Sequence, residues 1–218
     1  MIANQETAAY VAASLLKIKA IKLNGADPFT WASGLRSPIY CDNRVSLSFP
    51  EVRTYIKHEI AKVVKEHFGS VGVVAGVATA GIPQGALVAE ELGLPFIYVR
   101  SEKKSHGMTN MIEGFVEAGQ TAVVIEDLVS TGKSSLNAVF ALREAGVEIA
   151  GMVSIFSYGL KIAEENFVNA GCKLVSLSDY GNLIKKAAEI NYISQEQMQP
   201  LLEWRANPQA WSDAHQNS

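Results

Sequence analysis

The sequence alternates short apolar runs, rich in Val and Ile, with segments whose apolar side chains recur at helical spacing. The runs are VGVVAGVA (71–78), PFIYV (95–99), AVVIE (122–126), EIAGMVSIF (148–156) and KLVSL (173–177). A strand that is apolar at nearly every position is typically buried on both faces. Such strands alternating with helices predict an α/β fold with a mostly parallel sheet flanked by helices. Ligands of these folds bind at the carboxyl ends of the strands.

Apolar spacing and helix-ending residues also predict where the helices lie. The first predicted helix covers residues 5–22 and is ended by Asn24–Gly25, and the second begins at Pro50 and is stopped by Gly69. Further helices are predicted over about 82–92, over 133–145 and near 161–170, and the region 179–205 is predicted to be helical. Residues 27–49 are rich in turn formers and aromatics, which predicts short strands and loops beside the main sheet. A chain of 218 residues is long enough for one α/β domain with a small appended subdomain.

Net charge and cysteine content narrow the functional classes. The formal net charge of -3 gives no attraction to nucleic acid or to a membrane surface, so an anionic substrate needs a local set of donors. Cys41 and Cys172 form no CxxC pair and no metal-ligand spacing, which predicts packing roles in a reduced, cytoplasmic setting. The first residues lack the pattern of a signal peptide, and no apolar run approaches the roughly 20 residues that span a bilayer.

The segment VVIEDLVSTGKSSLN (123–137) combines an apolar strand, two acids and a hydroxyl-rich turn before a helix. Ribose hydroxyls would supply donors to the carboxylates of Glu126 and Asp127, which are costly to bury unpaired. The turn and the helix N-terminus offer backbone N–H groups to a phosphate. An ordinary βα turn in which Ser130 or Thr131 caps the helix is the alternative. A P-loop is excluded, because its first glycine would fall on Asp127, whose carboxylate would repel a triphosphate.

This order of strand, acids and turn resembles the phosphoribosyl-diphosphate (PRPP) loop of the type I phosphoribosyltransferase family. The resemblance implies that the acids bind the ribose hydroxyls and that the turn binds the 5-phosphate. The implied PRPP-binding residues are Glu126, Asp127, Leu128, Val129, Ser130, Thr131, Gly132, Lys133 and Ser134. It also implies the type I phosphoribosyltransferase fold, a single domain over 1–218. Within it, a small hood subdomain would be formed mainly by about 1–49, a core by about 50–180, and C-terminal helices by 181–218.

A charged loop, RSEKKSHG (100–107), follows the second predicted strand of the main sheet. Charges of this density usually mark a solvated loop. Arg, Lys and His at the carboxyl end of a strand also suit the departure of diphosphate, because cations stabilise the leaving group and closure excludes water. The RxxxKxHG spacing resembles the catalytic loop of the orotate phosphoribosyltransferases, a branch of the type I family. Two further segments are similar to that branch: FTWASGLRSPIYCDNR (29–44) to its orotate-pocket segment and ATAGIP (78–83) to its diphosphate loop.

The resemblance implies transfer of the 5-phosphoribosyl group from PRPP to orotate, with release of diphosphate, in pyrimidine biosynthesis. The implied catalytic residues are Arg100, Lys104, His106 and Asp127, and the first three of these would also bind PRPP. The implied cofactor is Mg²⁺, held mainly by substrate oxygens with no direct protein ligand. The implied assembly is a homodimer in which the charged loop serves the active site of the partner subunit.

Four positions depart from the pattern of the enteric-type members of this branch: three lack a lysine and one lacks an arginine that contacts orotate. The departures are Ala32, Ala80 and Ser101 for lysine and Tyr158 for arginine. We hypothesise that Arg36 supplies a cation for the orotate carboxylate and that Ser130 is the other base contact. Two alternative functions stay open, transfer to a purine or another pyrimidine base and a non-catalytic PRPP-sensing regulator.

Overall fold

A computed structural model of the protein describes residues 1–31, 33–101 and 111–216. Within these ranges the helices are α1 (Gln5–Lys17), α2 (Pro50–Phe68), α3 (Gly81–Leu92), α4 (Lys133–Glu144), α5 (Lys161–Asn169), α6 (Tyr180–Glu189), α7 (Gln195–Ala206) and α8 (Pro208–Ala214). The strands are β1 (Ile21–Leu23), β2 (Phe29–Thr30), β3 (Arg36–Ser37), β4 (Ile39–Cys41), β5 (Val73–Val77), β6 (Phe96–Val99), β7 (Ile112–Glu113), β8 (Thr121–Val129), β9 (Glu148–Ser157) and β10 (Leu174–Asp179). A 3-10 helix, Asn43–Ser48, follows β4.

The main sheet has the strand order β10-β9-β8-β5-β6-β7. All neighbours in it run parallel except β7, which pairs antiparallel with β6. The five apolar runs in the sequence are the five parallel strands, so the predicted α/β class is confirmed. The edge strand β7 was not anticipated, because a two-residue strand leaves no periodic pattern in the sequence.

Helices cover both faces of this sheet. In β8, Val123 and Ile125 belong to the buried cluster that includes α1, α2 and α6, while Ala122 and Val124 belong to the cluster with α4 and α5. Successive side chains of a strand point to opposite faces, which explains the division. Because both faces are covered, the ends of the strands are the parts of this sheet where a ligand is expected.

The first helix is shorter than the sequence predicts. It ends at Lys17, Lys19 has a φ of 58°, and residues Ile21–Leu23 form β1 against β4. The prediction of a helix to residue 22 was wrong, because the buried Ile21 fits a short strand as well as a helix. Helix α1 packs on α6 and β10, where the Ser178 hydroxyl donates to the carbonyl of Ala8.

Two small antiparallel sheets, β1 with β4 and β2 with β3, lie outside the main sheet. Strands β2, β3 and β4 fall within residues 27–49, as expected, whereas β1 precedes that stretch. The helix predicted from Pro50 is α2, with Pro50 in its first turn and Gly69 at its end. The C-terminal helical region consists of α6 and α7, and α8 extends beyond the predicted limit of residue 205. In the described ranges no helix is both long and apolar enough to cross a membrane.

Candidate active site

The turn between β8 and α4 leaves a helix N-terminus without a side-chain cap. Gly132 is the N-cap residue of α4, with a φ of 78°, and no side chain in this described stretch caps the helix. Neither Ser130 nor Thr131 caps the helix, so the ordinary capping interpretation of the turn is not supported. The first N–H groups of α4 consequently lack partners inside the helix, which suits an anion.

Helix α5 holds this turn in place. The side-chain amide of Asn166 donates to the carbonyl of Thr131 at 3.0 Å. A Cβ at Gly132 would lie 2.7 Å from the ring of Phe167, closer than side chains pack. Glycine is therefore required at this position both by the left-handed backbone and by the neighbouring ring.

Glu126 and Asp127 lie inside β8 and not after it, because β8 continues pairing with β9 up to Val129. The Glu126 side chain is buried, and its Oε2 accepts a hydrogen bond from the Ser135 hydroxyl at 2.8 Å. Its Oε1 accepts from the backbone N–H of Asp127 at 2.9 Å. Asp127 is half-buried, so its carboxylate stays accessible from the sheet edge.

Burial dominates the electrostatics of this acid pair. Loss of hydration, followed by the negative charge of Asp127, raises the pKa of Glu126 well above its ordinary value. Burial also raises the pKa of Asp127. Two carboxyl groups so close together, partly removed from water, retain a proton more readily than exposed acids. Adjacent hydroxyl groups of a ligand would provide the donors that the ionised pair lacks.

The predicted diphosphate loop meets the acid pair. It connects β5 to α3, and Ala80 is the N-cap residue of α3, without a side-chain cap. A Cβ at Gly81 would lie 2.6 Å from the carbonyl oxygen of Ile125 and 3.5 Å from the Cα of Glu126. The absence of a side chain at Gly81 thus lets a second open helix N-terminus approach the acids of β8.

The strand register also brings the start of the charged loop to this edge. Val99 pairs with Val77 of β5, so Arg100 leaves β6 two strands away from β8, a span of roughly 10 Å. The Arg100 backbone N–H donates to Met111, and its guanidinium lies 3.6 Å from a carboxylate oxygen of Glu113. Ser101, the last described residue before the gap, is exposed. The predicted site residues Lys104 and His106, and the departure Ala32, lie outside the described residues.

A cavity of about 990 Å³ opens beside the turn. Its walls include Trp31 and Leu35 from the N-terminal segment, Ser130 from the turn, and Arg205 and Gln209 from the C-terminal helices. Ser130, a predicted base contact, therefore faces a space large enough for a small ligand. Arg205 is the arginine among the described lining residues of this cavity.

Arg36, the other predicted base contact, is held on the β2–β3 hairpin. Its Nη1 donates to the Thr30 hydroxyl at 3.1 Å, and its backbone N–H donates to the Ser212 hydroxyl at 2.9 Å. It is not among the described residues that line the 990 Å³ cavity. The structure thus brings Ser130 and Arg205, but not Arg36, to the wall of this cavity.

Tyr158 fills a packing position next to the same cavity. Its side chain is buried, stacks on Trp31 with ring centres 5.2 Å apart, and meets Trp204 edge-on at 5.6 Å. Where the resemblance places an arginine that contacts the base, this chain has an aromatic ring that joins the N-terminal segment to α7.

Three residues that the sequence analysis did not single out contribute to this region: Ser135, Asn166 and Arg205. Ser135 is a small polar residue on the buried face of α4, a pattern that signals a buried hydrogen bond. Arg205 carries no such signal, because it lies 75 positions after Ser130 on a different helix.

Comparison with known proteins agrees with this geometry. A family model described as "Phosphoribosyl transferase domain" matches residues 49–183, and the chain belongs to the phosphoribosyltransferase family. An orotate phosphoribosyltransferase of Cytophaga hutchinsonii is 56% identical over 92% of this chain and 96% of its own length. One of Porphyromonas gingivalis is 52% identical over the same shares. Within its family, this chain is a member of the orotate phosphoribosyltransferases.

The fold agrees with a solved structure of the same group. The orotate phosphoribosyltransferase from Aeropyrum pernix superposes with a TM-score of 0.73 at 28% sequence identity, covering 84% of this chain and 99% of the other. The type I phosphoribosyltransferase fold that the resemblance implied is thereby confirmed.

Proposed function

We propose that the protein transfers the 5-phosphoribosyl group from PRPP to nitrogen 1 of orotate, giving orotidine 5-phosphate and diphosphate. The observation that supports it most directly is the acid pair of β8, buried Glu126 and half-buried Asp127, which precedes the uncapped N-terminus of α4. Acids suited to two ribose hydroxyls are followed along the chain, after a short turn, by N–H groups suited to a phosphate. The identity of the base rests on relatives that are named for orotate.

Glu126 and Asp127 would bind the ribose hydroxyls, and the turn would bind the 5-phosphate. The side chain of Val129 is buried, so this residue would contact PRPP only through its backbone. The side chains of Thr131, Lys133 and Ser134 are exposed. The remaining proposed contacts of the loop are Leu128, Ser130 and Gly132. An acid that accepts two hydrogen bonds from the ribose also stabilises the positive charge that develops on carbon 1 as the diphosphate departs.

The leaving diphosphate would be stabilised by cations of the charged loop. Arg100 is anchored at the end of β6, and Lys104 and His106 follow it in the sequence. Positive charge on the leaving group lowers the barrier, because negative charge accumulates there in the transition state. An acid–base role of His106 is the alternative to diphosphate binding, since an ordinary histidine titrates near neutral pH.

Magnesium fits this site because it needs few protein ligands. Both carboxylate oxygens of Glu126 already accept hydrogen bonds, and among the described residues no group of three or more His, Cys, Asp or Glu could hold a metal ion. Mg²⁺ commonly keeps several waters and binds through substrate phosphates with few protein ligands. When bound, it would neutralise charge on the diphosphate and ribose oxygens.

For the base, we propose Ser130 as one contact and Arg36 as the cation for the orotate carboxylate. Arg205 is a rival cation, because it lines the cavity beside Ser130, as does the exposed Lys161. Comparing Arg36→Ala with Arg205→Ala tests the assignment. A rise in the KM for orotate confined to Arg36→Ala supports it, and an unchanged KM in that variant overturns it.

Substrate screening tests the reaction itself. At equal PRPP and Mg²⁺, we expect consumption of orotate to exceed that of purine bases and of uracil by orders of magnitude. Preference for a purine would overturn the choice of base. Absence of transfer to every base, with PRPP binding intact, would instead support a PRPP-sensing regulator.

We further propose a homodimer with active sites shared between subunits and a location in the cytoplasm. The location is supported by the biosynthetic role of the relatives and by Cys41 and Cys172, which are both free thiols. With a net charge of -3 we propose no role in binding nucleic acid or membranes.

A further inference from the structure

Asn43 connects the N-terminal segment to the backbone of the acid pair. It begins the 3-10 helix after β4, and only 2% of its surface is exposed. Its side-chain amide donates to the backbone carbonyl of Asp127 at 2.7 Å. Its Oδ1 accepts from the Cys41 thiol at 3.4 Å. Both ends of the amide are therefore engaged, which fixes the orientation of the side chain.

The carbonyl of Asp127 needs such a donor. On this side of β8, the pairing with β5 ends at Gly76 and Ile125. Asp127 lies two residues beyond that limit, where β5 no longer pairs with β8 in the part of the chain that the structure describes. A buried carbonyl without a donor costs free energy, and Asn43 supplies the donor from another part of the chain.

The contact continues to α3 through buried polar groups. The Ser46 hydroxyl donates to the backbone carbonyl of Asn43 at 2.6 Å, and the Gln84 amide approaches the same hydroxyl at 3.5 Å. Ser46 and Gln84 are both almost fully buried. The 3-10 helix is thus connected to β8 and also to α3, whose N-terminus carries the predicted diphosphate loop.

We propose that Asn43 is a positioning residue for PRPP: it fixes the backbone of Asp127 and so aims that carboxylate at the ribose hydroxyls. An apolar side chain would fill the same space without the cost of burying an amide, so a packing role alone does not account for Asn43. The proposal rests on the assignment of Asp127 to the ribose.

The test compares Asn43→Ala and Asn43→Leu with Ser178→Ala. Leucine keeps the number and branching of the side-chain heavy atoms, although it is somewhat larger, and it removes the donor without adding charge. Ser178→Ala is the matched control, because the fully buried Ser178 hydroxyl also donates to a backbone carbonyl, at 2.8 Å, but on the α1 side of β10. Binding of PRPP with Mg²⁺ is measured by calorimetry without orotate, together with the melting temperature and steady-state kinetics.

We expect both Asn43 variants to raise the Kd for PRPP about tenfold, the loss typical of one well-aligned hydrogen bond. The KM for PRPP should rise in parallel, while kcat and the KM for orotate stay within about twofold of wild type. Ser178→Ala should lower the melting temperature to a similar degree and leave PRPP binding unchanged.

Asp127→Asn, measured in the same way, separates the assignment of Asp127 to the ribose from the positioning role of Asn43. If Asp127→Asn binds PRPP as tightly as wild type, the ribose assignment fails and the positioning role fails with it. If Asp127→Asn loses binding while the folded Asn43 variants bind PRPP no more weakly than Ser178→Ala, the positioning role alone is overturned. A loss confined to the KM for orotate would also overturn it. Should Asn43→Ala not fold, Asn43→Leu decides.

Discussion

At the residue scale, Glu126 is kept in a position that disfavours its own charge. It is buried, it neighbours Asp127, and its oxygens accept hydrogen bonds from the Ser135 hydroxyl and from the backbone N–H of Asp127. Its pKa is raised, chiefly by burial. In the absence of ligand, the buried Glu126 carboxyl therefore lowers the stability of the fold at neutral pH. Ribose hydroxyls would supply the additional hydrogen bonds to the acid pair.

Replacing Glu126 by Gln should stabilise the free protein at pH 8. Because the folded-state pKa is raised, the stability linked to this group is fully present below the ordinary value of 4.5 and is lost as the pH rises through the folded pKa. Gln cannot ionise, so the loss disappears. In urea unfolding, the increase in the free energy of unfolding over wild type should be largest at pH 8 and should shrink towards pH 4. In thermal unfolding, each kcal/mol of this increase corresponds to a rise of roughly 2–4 °C in melting temperature.

Glu90→Gln, on the exposed face of α3, is the control for this experiment and should show no such pH-dependent gain. The Glu126→Gln variant should bind PRPP at least about tenfold more weakly, because a neutral amide accepts weaker hydrogen bonds from hydroxyls. Equal stability of wild type and Glu126→Gln at every pH would contradict the electrostatic account.

Gly132→Ala should damage the turn beyond the cost of its backbone conformation. A Cβ there meets the Phe167 ring, whereas a Cβ at Gly93, which also has a positive φ, meets nothing within 4 Å. Gly93→Ala therefore carries the backbone cost alone, about 1–2 kcal/mol. We expect PRPP affinity to fall more than about tenfold in Gly132→Ala and to be unchanged in Gly93→Ala, as measured by calorimetry. Equal affinities would show that the turn tolerates the side chain.

At the scale of elements, α5 supports the turn from outside the PRPP loop. Asn166→Ala frees the carbonyl of Thr131 and should weaken PRPP binding roughly three- to tenfold. Asn169→Ala, exposed at the end of the same helix, should bind PRPP like wild type. If the two variants bind PRPP equally well, the hydrogen bond from α5 has no part in shaping the turn.

The sequence predicted the elements whose patterns are long, and missed those that depend on distant partners. The five parallel strands, the start of α2 at Pro50 and the helix after Gly132 follow from local residue types and spacing. The end of α1 was misplaced, since Ile21 suits either a helix or the strand that pairs with β4. The length of β8 depends on β9, which no local pattern reveals.

The same distinction holds for the site. The acid pair and the turn are contiguous, so one segment of sequence indicated both. Asn43 lies on the 3-10 helix and Arg205 lies on α7, and both are far from the acid pair in the sequence. Their roles depend on three-dimensional contacts, and a single sequence carries no spacing rule for those contacts.

At the scale of the whole molecule, the proposed shared site predicts complementation between subunits. Lys104→Ala and Asp127→Asn, each strongly impaired alone, should regain partial activity when mixed under conditions of subunit exchange. Each hybrid dimer would carry one site with both residues intact, which limits activity to about a quarter of wild type when exchange is complete. No recovery after verified exchange would place both residues in the same subunit's site.

The central claim is that this chain is a PRPP-dependent orotate transferase whose β8 acids bind the ribose. The most direct measurement follows the loss of orotate absorbance with PRPP and Mg²⁺, for wild type and for Asp127→Asn with an unchanged melting profile. We predict that wild type consumes orotate only when PRPP and Mg²⁺ are both present and that Asp127→Asn is slower by a factor on the order of 100. Wild type that leaves orotate unchanged, or Asp127→Asn that matches its rate, would contradict the account.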